Sequence, residues 1–87
     1  SALSVYDLEN NDIKIFPNPV SDTLNIDLPN NLRGSRATIY SISGQEMASF
    51  KQKETNLILD MSGYKSGIYF IRFQKDGEAS TFKILKK

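Results

Sequence analysis

The apolar residues of this chain are most concentrated in one stretch of seven residues, 67–73. Its side chains are mostly large and either β-branched or aromatic, as is typical of residues packed on the surface of a sheet. The stretch is too short for a buried helix, and Gly67 and the pair Asp76-Gly77 punctuate its ends. Because both faces are apolar apart from Arg72, the pattern predicts a central β-strand that is buried on both faces.

Six other segments alternate between apolar and polar residues, or are bounded by turn residues, as β-strands are. They span residues 13–16, 23–28, 36–42, 46–51, 56–61 and 79–85. The inner faces of these strands are predicted to carry Leu24, Ile26, Leu28, Met47, Phe50, Leu57, Leu59, Met61, Phe82 and Ile84. Seven short strands at roughly ten-residue spacing, separated by Gly, Pro and Asn turns, predict an all-β fold. An antiparallel β-sandwich is favoured, with a small barrel as the alternative.

The length of 87 residues is that of one domain. Residues 1–12 are acidic and contain consecutive asparagines, and we interpret them as a linker or lead-in to a domain over residues 13–87. Ser1 and Ala2 are consistent with a cloning remnant. The net charge of +1 does not indicate a nucleic-acid or anionic-membrane partner. The charge is uneven, however: residues 1–63 carry −3 and residues 64–87 carry +4, so the C-terminal end is the basic pole.

The residue types on which most catalytic chemistry depends are missing from the sequence. It has no His and no Cys, which removes Ser-His-Asp and Cys-His centres as well as thiolate and imidazole metal ligands. Its five glycines are spread over separate turns instead of forming a phosphate-binding loop. The sequence therefore predicts a protein that is not an enzyme and that binds no metal or cofactor.

Three tyrosines keep a second class of function open. Tyr6, Tyr40 and Tyr64 are predicted to be exposed, and exposed aromatic rings can form a stacking platform for sugars. Packing against cross-strand neighbours is the structural explanation of the same residues. A small carbohydrate- or protein-binding module of a secreted enzyme, and an inert spacer, are thus the alternatives to the function considered next.

Three parts of the sequence together resemble one known family. The first runs from Ile15 through Pro17-Asn18-Pro19 to Ile26, and the second runs from Ile39 through Ser43-Gly44-Gln45 to Met47. The third joins Asp60-Met61-Ser62, Gly67-Ile68-Tyr69 and Thr81-Phe82-Lys83-Ile84-Leu85-Lys86. In this order and at these spacings they resemble the C-terminal sorting domain of proteins exported by the bacterial type IX secretion system (the Por secretion system tail, type A). The resemblance covers about residues 13–87, and Phe16 stands where the family usually has Tyr.

The resemblance implies an immunoglobulin-like antiparallel β-sandwich of about seven strands at the end of a larger secreted protein. Such a tail directs its cargo from the periplasm of a Gram-negative bacterium across the outer membrane, to the cell surface or the medium. The partners that it implies are the outer-membrane translocon, a shuttle protein and a sortase-like peptidase. In the family this peptidase usually removes the tail, upstream of the folded domain, and joins the cargo to a lipopolysaccharide.

The resemblance also assigns recognition by the translocon and shuttle to the last strand and the chain end. The residues concerned are Thr81, Phe82, Lys83, Ile84, Leu85, Lys86 and Lys87. If this strand lies at a sheet edge, its unpaired N–H and C=O groups can accept a receptor strand or a second copy of the chain. The alternative is that Phe82 and Ile84 belong to the core and that the lysines only solubilise the edge.

The other residues that match the family signature are expected to be structural. They are Pro17, Asn18, Pro19, Gly44, Gly67 and Tyr69. Finally, Asp22-Thr23-Leu24 resembles the acceptor for O-glycosylation in the same bacterial lineage, with Thr23 as the site, although an Asp-Thr pair that opens a strand has a structural explanation too.

Overall fold

Seven strands in two antiparallel sheets make up the part of the chain that the computed structural model describes, residues 13–87. The strands are β1 (Lys14–Phe16), β2 (Thr23–Asp27), β3 (Arg36–Ser41), β4 (Glu46–Lys51), β5 (Asn56–Asp60), β6 (Gly67–Lys75) and β7 (Glu78–Lys86). A 3₁₀ turn, Asn30–Leu32, lies in the connection between β2 and β3. All seven predicted strands are therefore confirmed. The lead-in at residues 1–12, with Tyr6, lies outside the described residues.

The strand order is that of an immunoglobulin-like sandwich. One sheet has the order β1-β2-β5 and the other has the order β4-β3-β6-β7. In the constant-type immunoglobulin arrangement the fourth strand belongs to the sheet of the first, second and fifth strands. In this chain β4 pairs with β3 and belongs to the other sheet. Val20, which follows β1, forms a parallel bridge with Lys86 of β7. The chain between β1 and β2 thus crosses from the edge of one sheet to the edge of the other.

The core lies between the two sheets and is made by the predicted inner positions. Leu24 and Ile26 of β2 face Ile39, Ile71 and Ile84 of the other sheet, and all five side chains have 0% exposure. Each such side chain contributes about 1.5–3 kcal/mol through the removal of apolar surface from water. The other buried apolar residues are Ile13, Val20, Leu28, Ala37, Met61, Tyr69 and Phe73, with Ile15, Leu32, Ala48, Phe50, Leu57, Leu59, Tyr64 and Phe82 packed against them.

The predicted central strand, β6, is an interior strand between β3 and β7, but it is not buried on both faces. Tyr69, Ile71 and Phe73 are buried, whereas Ile68 is half-buried and Arg72 is exposed. The prediction of two buried faces is therefore wrong. A sandwich has only two layers, so the outer face of even its interior strands meets solvent. The apolar outer residues of β6 are shielded only from the sides, by the strands next to them.

Met47 points outward, and its predicted inward orientation is wrong. The pairing of β3 with β4 shifts register between Ile39 and Tyr40: Ile39 lies opposite Ala48, whereas Tyr40 lies opposite Glu46. Met47 is the extra residue of this bulge and is 39% exposed. Ala48 and Phe50 face the core, so alternation along the strand turns Met47 outward, and the bulge then turns Glu46 outward as well. Phe50 lies beyond the bulge and packs against the core as predicted.

Candidate functional site

The last strand, β7, lies at the edge of the four-stranded sheet and holds nearly all of the predicted recognition residues. It pairs with β6 over its whole length, from Lys75 opposite Glu78 to Gly67 opposite Lys86. The turn between the two strands, Asp76-Gly77, has φ values of 51° and 84°, as a two-residue turn that follows the twist of a hairpin demands. Six of the seven predicted residues lie on β7, and Lys87 follows it directly.

The predicted recognition residues divide between the two faces of β7. Ile84 is fully buried. Phe82 is half-buried and meets Phe73 edge to face, with ring centroids 6.1 Å apart. Thr81, Lys83 and Leu85 lie on the outer face, and Leu85 is 40% exposed. The inner residues therefore hold the strand in the core, and the outer residues are the ones that another molecule can touch.

Asn18 covers part of the outer edge of β7. Its side-chain oxygen Oδ1 accepts a hydrogen bond from the backbone N–H of Leu85 at 2.9 Å. Its side-chain nitrogen Nδ2 donates to the backbone oxygen of Lys83 at 3.2 Å. One amide side chain thus presents an acceptor and a donor to the strand, as the backbone of a neighbouring strand does.

The backbone of Val20 continues this cover to the end of the chain. The N–H of Val20 donates to the oxygen of Leu85, and the N–H of Lys87 donates to the oxygen of Val20, both at 2.8 Å. The side chain of Val20 is fully buried, which fixes the segment in place. We call this segment, residues 17–20, the clasp. The expectation that the last strand offers unpaired N–H and C=O groups along its edge is therefore wrong from the C=O of Lys83 to the N–H of Lys87.

Within residues 13–87, the edge of β7 lacks partners only between the turn at Asp76-Gly77 and the clasp. The bonds to the clasp show that the N–H and C=O groups of odd-numbered residues point away from β6, because these directions alternate along an antiparallel strand. Ala79, Thr81 and the N–H of Lys83 therefore also point outward. Among residues 13–87, no hydrogen-bond partner is present for these groups. We call this section, residues 79–83, the open edge.

Two grooves adjoin the open edge. One, of about 400 Å³, is lined by Phe70, Ala79, Ser80, Thr81 and Lys83. The other, of about 500 Å³, lies at the turn end of β7 and is lined by Asn31, Leu32, Ser35, Phe73, Lys75, Glu78, Ala79 and Ser80. The strand edge that lacks partners is thus also the part of β7 with space beside it.

The remaining signature residues make contacts within the fold. Tyr69 is buried, and its hydroxyl donates to the backbone oxygen of Lys65 at 2.8 Å. Its ring lies 5.2 Å from that of Tyr64, centroid to centroid. Burial, with a smaller contribution from Tyr69, raises the pKa of the Tyr64 hydroxyl above its ordinary value. Gly67 has a φ of +150° and Gly44 a φ of +92°, which L-residues with a side chain rarely adopt.

Two of the candidate sugar-binding tyrosines, Tyr40 and Tyr64, lie within the described residues, and they do not share a face of the fold. Tyr64 packs against the core, whereas Tyr40 lies on the outer face of the four-stranded sheet. Residues 13–87 contain no group of three or more acidic, His or Cys side chains suited to a metal ion. No helix in the same residues has the length and apolar character needed to cross a membrane. Thr23, the candidate glycosylation site, is exposed at the start of β2.

The two sheets and their strand order define an immunoglobulin-like antiparallel β-sandwich. A family model described as "Secretion system C-terminal sorting domain" matches residues 14–87. The chain therefore belongs to this family, the C-terminal sorting signals of type IX secretion, and the resemblance noted in the sequence is confirmed. Domains of this family are typically not catalysts, and they imply export across the outer membrane to the cell surface or the medium.

Two longer proteins contain a similar region. A funoran endo-β-hydrolase of Wenyingzhuangia aestuarii is 33% identical over 76 residues, which cover 83% of this chain and 10% of that protein. The solved structure of PorZ, an essential surface component of the type IX secretion system of Porphyromonas gingivalis, matches with a TM-score of 0.76 at 16% identity. That match covers 91% of this chain and 12% of PorZ, and at this identity it shows the fold alone. The chain spans about a tenth of the length of each protein.

Sequence reasoning missed the clasp. It assigned Asn18 to a turn because an asparagine between two prolines has that local explanation. The contact that matters lies 67 residues away, at Leu85. A signal in the sequence does exist, since Asn18 is the only residue of the clasp, residues 17–20, with both a side-chain donor and a side-chain acceptor, but it does not specify the partner.

Proposed function

We propose that this chain is a non-catalytic sorting signal. The type IX secretion apparatus recognises it through the outer face and the end of β7. The cargo is a larger protein joined to the chain. The components that recognise the signal are the outer-membrane translocon and its shuttle protein. A sortase-like peptidase then cuts upstream of the folded domain, near residues 1–12, and the cargo is attached to the cell surface or released. The route runs through the periplasm of a Gram-negative bacterium.

The observation that carries this proposal is the division of β7 into a buried and an accessible side. Ile84 and Phe82 hold the strand in the core, so its position does not depend on a receptor. Lys83 and Lys87 are exposed, as is Leu85 between them. A receptor that has acidic groups beside an apolar contact would recognise Leu85 together with the two lysines. Lysines that only solubilise an edge would not need to lie on both sides of an exposed leucine.

Charge reversal at the accessible lysines tests the proposal. In the full-length protein that carries this chain, Lys83→Glu and Lys87→Glu are combined and export is measured in a host with a working type IX system. The matched control combines Lys51→Glu and Lys53→Glu, which makes the same change in net charge at exposed residues elsewhere. We expect the first pair to lower export at least tenfold and the second to leave it within twofold.

Stability separates recognition from folding in this experiment. All four lysines are exposed, so both double variants should melt close to the unchanged protein. Equal export of the two double variants would contradict the assignment of recognition to β7. Thermal unfolding of the 87-residue chain is measured for each variant before export is interpreted.

A further inference from the structure

We propose that the open edge of β7, residues 79–83, is a strand-pairing site for an extended segment of a partner protein that alternates apolar and acidic side chains. This inference deepens the function proposed above and rests on it for the identity of the partner as part of the secretion apparatus. The clasp limits the site at one end, because Asn18 already occupies the oxygen of Lys83. The turn at Asp76-Gly77 limits it at the other end.

The backbone of the open edge supplies the affinity. Thr81 points both its N–H and its C=O outward, Ala79 does the same, and Lys83 adds an N–H. An incoming strand can therefore form a short ladder of hydrogen bonds without displacing any bond to β6, because Thr81 lies opposite Arg72 in a pair that does not exchange backbone bonds. Addition of an extended peptide to an exposed edge is an established way of recognising a partner.

The two sides of the open edge supply the specificity. On the outer side, Lys83 lines the groove with Phe70, and Arg72 lies directly opposite Thr81 on β6. These cations favour a carboxylate on the outward-facing positions of the incoming strand. On the inner side, the groove combines polar residues, among them Lys75 and Glu78, with the half-buried Leu32, and the part beside Leu32 can accept an apolar side chain. Since side chains alternate along a strand, one segment with alternating apolar and acidic residues satisfies both sides.

A segment of a partner fits this site better than a second copy of the chain does. In the described part of the chain the open edge is five residues long, and pairing over this length buries far less than the roughly 1,000 Å² that a stable interface between folded domains requires. A second copy that paired through the same edge would also bring its own Lys83 and Arg72, and Asp76 and Glu78 would be its only acidic groups near the turn. The edge of β4 is a weaker candidate, because the bulge at Met47 interrupts its regular backbone.

Titration of the 87-residue chain with two synthetic peptides tests the site directly. One seven-residue peptide alternates valine and glutamate, and the other alternates valine and lysine. Backbone amide signals are followed by NMR. We expect the valine–glutamate peptide to shift the amides of Ala79, Thr81 and Lys83 and to slow their hydrogen exchange at least tenfold, with little change at Leu85 and Lys87. The valine–lysine peptide should bind at least tenfold more weakly.

Several outcomes would overturn the inference. They are the absence of shifts at millimolar peptide, shifts centred on β4 or β5, equal binding of both peptides, or shifts that depend on protein concentration without peptide. The last of these would show that a second copy occupies the edge. Lys83→Glu leaves the backbone untouched and should reverse the preference between the peptides, so it keeps the test valid if other variants unfold.

A backbone variant links the site to export. Thr81→Pro removes one outward N–H and no bond to β6, whereas Thr81→Val keeps that N–H. With thermal unfolding checked for each, we expect the full-length protein with Thr81→Pro to lose peptide binding and at least tenfold in export, and Thr81→Val to retain both. Normal export of Thr81→Pro, together with failed export of the Lys83/Lys87 double variant, would overturn strand pairing and leave the sorting function intact. Normal export of every variant would contradict both.

Discussion

The side-chain amide of Asn18 bonds the backbone on both sides of Ile84, by accepting from Leu85 at 2.9 Å and donating to Lys83 at 3.2 Å. These two hydrogen bonds join the last residues of β7 to the turn that follows β1. It also decides which part of β7 can accept another strand. The covered part, residues 83–87, includes the end of the chain, and the part left open is the section nearer the turn.

Asn18→Ala should loosen the end of β7 without unfolding the domain. It removes two hydrogen bonds at an exposed edge, and each contributes about 0.5–1.5 kcal/mol, so we expect a loss of about 1–3 kcal/mol in the free energy of unfolding. Hydrogen exchange at the Leu85 amide should quicken in the same variant. Asn25→Ala, which removes a single 3.3 Å bond to the oxygen of Phe16, is the control. Exchange at Leu85 should be unchanged in the control, and a change of equal size there would refute the clasp.

Gly67→Ala should destabilise the domain through backbone strain. An added Cβ at Gly67 meets nothing within 4 Å, so steric contact is not the cause, but its φ of +150° is one that alanine rarely adopts. We expect the free energy of unfolding, measured with urea, to fall by about 1–3 kcal/mol. Gly63 is the matched control, because its surroundings are equally open and its φ is not positive. Gly63→Ala should change stability by less than about 1 kcal/mol, and equal losses at both positions would exclude strain as the cause.

Gln52 is the one buried side chain in residues 13–87 whose polar atoms have no hydrogen-bond partner there. Its backbone is paired with Ser35 and Gly34, which holds the residue inside regardless of its side chain. Replacement of an unpaired buried amide by an apolar group of similar size should be neutral or stabilising, by up to about 1 kcal/mol. Gln52→Met is therefore expected to melt at the same temperature or higher. Gln52→Glu introduces a buried charge and should melt at a lower temperature. A strongly lowered melting temperature in Gln52→Met would show that the amide has a hydrogen-bond partner.

Tyr64 should make stability depend on alkaline pH. Burial raises its pKa in the folded protein above the value of about 10 in the unfolded chain. The folded protein therefore holds the hydroxyl proton more tightly, and the stabilisation is complete below pH 10 and is lost as the pH rises through the folded pKa. Tyr64→Phe should show a shallower decline in the free energy of unfolding above pH 10 than the unchanged chain. Identical slopes for the two proteins would contradict the raised pKa.

Local patterns were sufficient to predict the strands, and long-range pairing was not accessible from them. Ile26 and Ile84 were placed in the core correctly because alternation along a strand is a property of neighbouring residues. Met47 was misplaced because it was assigned to the same face as Phe50, three residues away, whereas alternation from Phe50 turns it outward. The bulge that turns Glu46 outward depends on the partner strand and is not encoded by alternation. The cover of β7 by Asn18 was missed for the same reason, since the two are distant in sequence. The family was recognised from several short motifs in a fixed order, and this recognition does not require knowledge of which strands pair.

Export of an unrelated reporter tests the central claim most directly. A fluorescent protein with an inner-membrane signal peptide is joined to residues 3–87, and a matched version lacks them. Both are expressed in a bacterium with a working type IX system and in a strain whose translocon is deleted. We expect fluorescence at the surface or in the medium only when the chain and the translocon are both present. Retention of the folded, stable fusion in the periplasm of the first strain would contradict the sorting function.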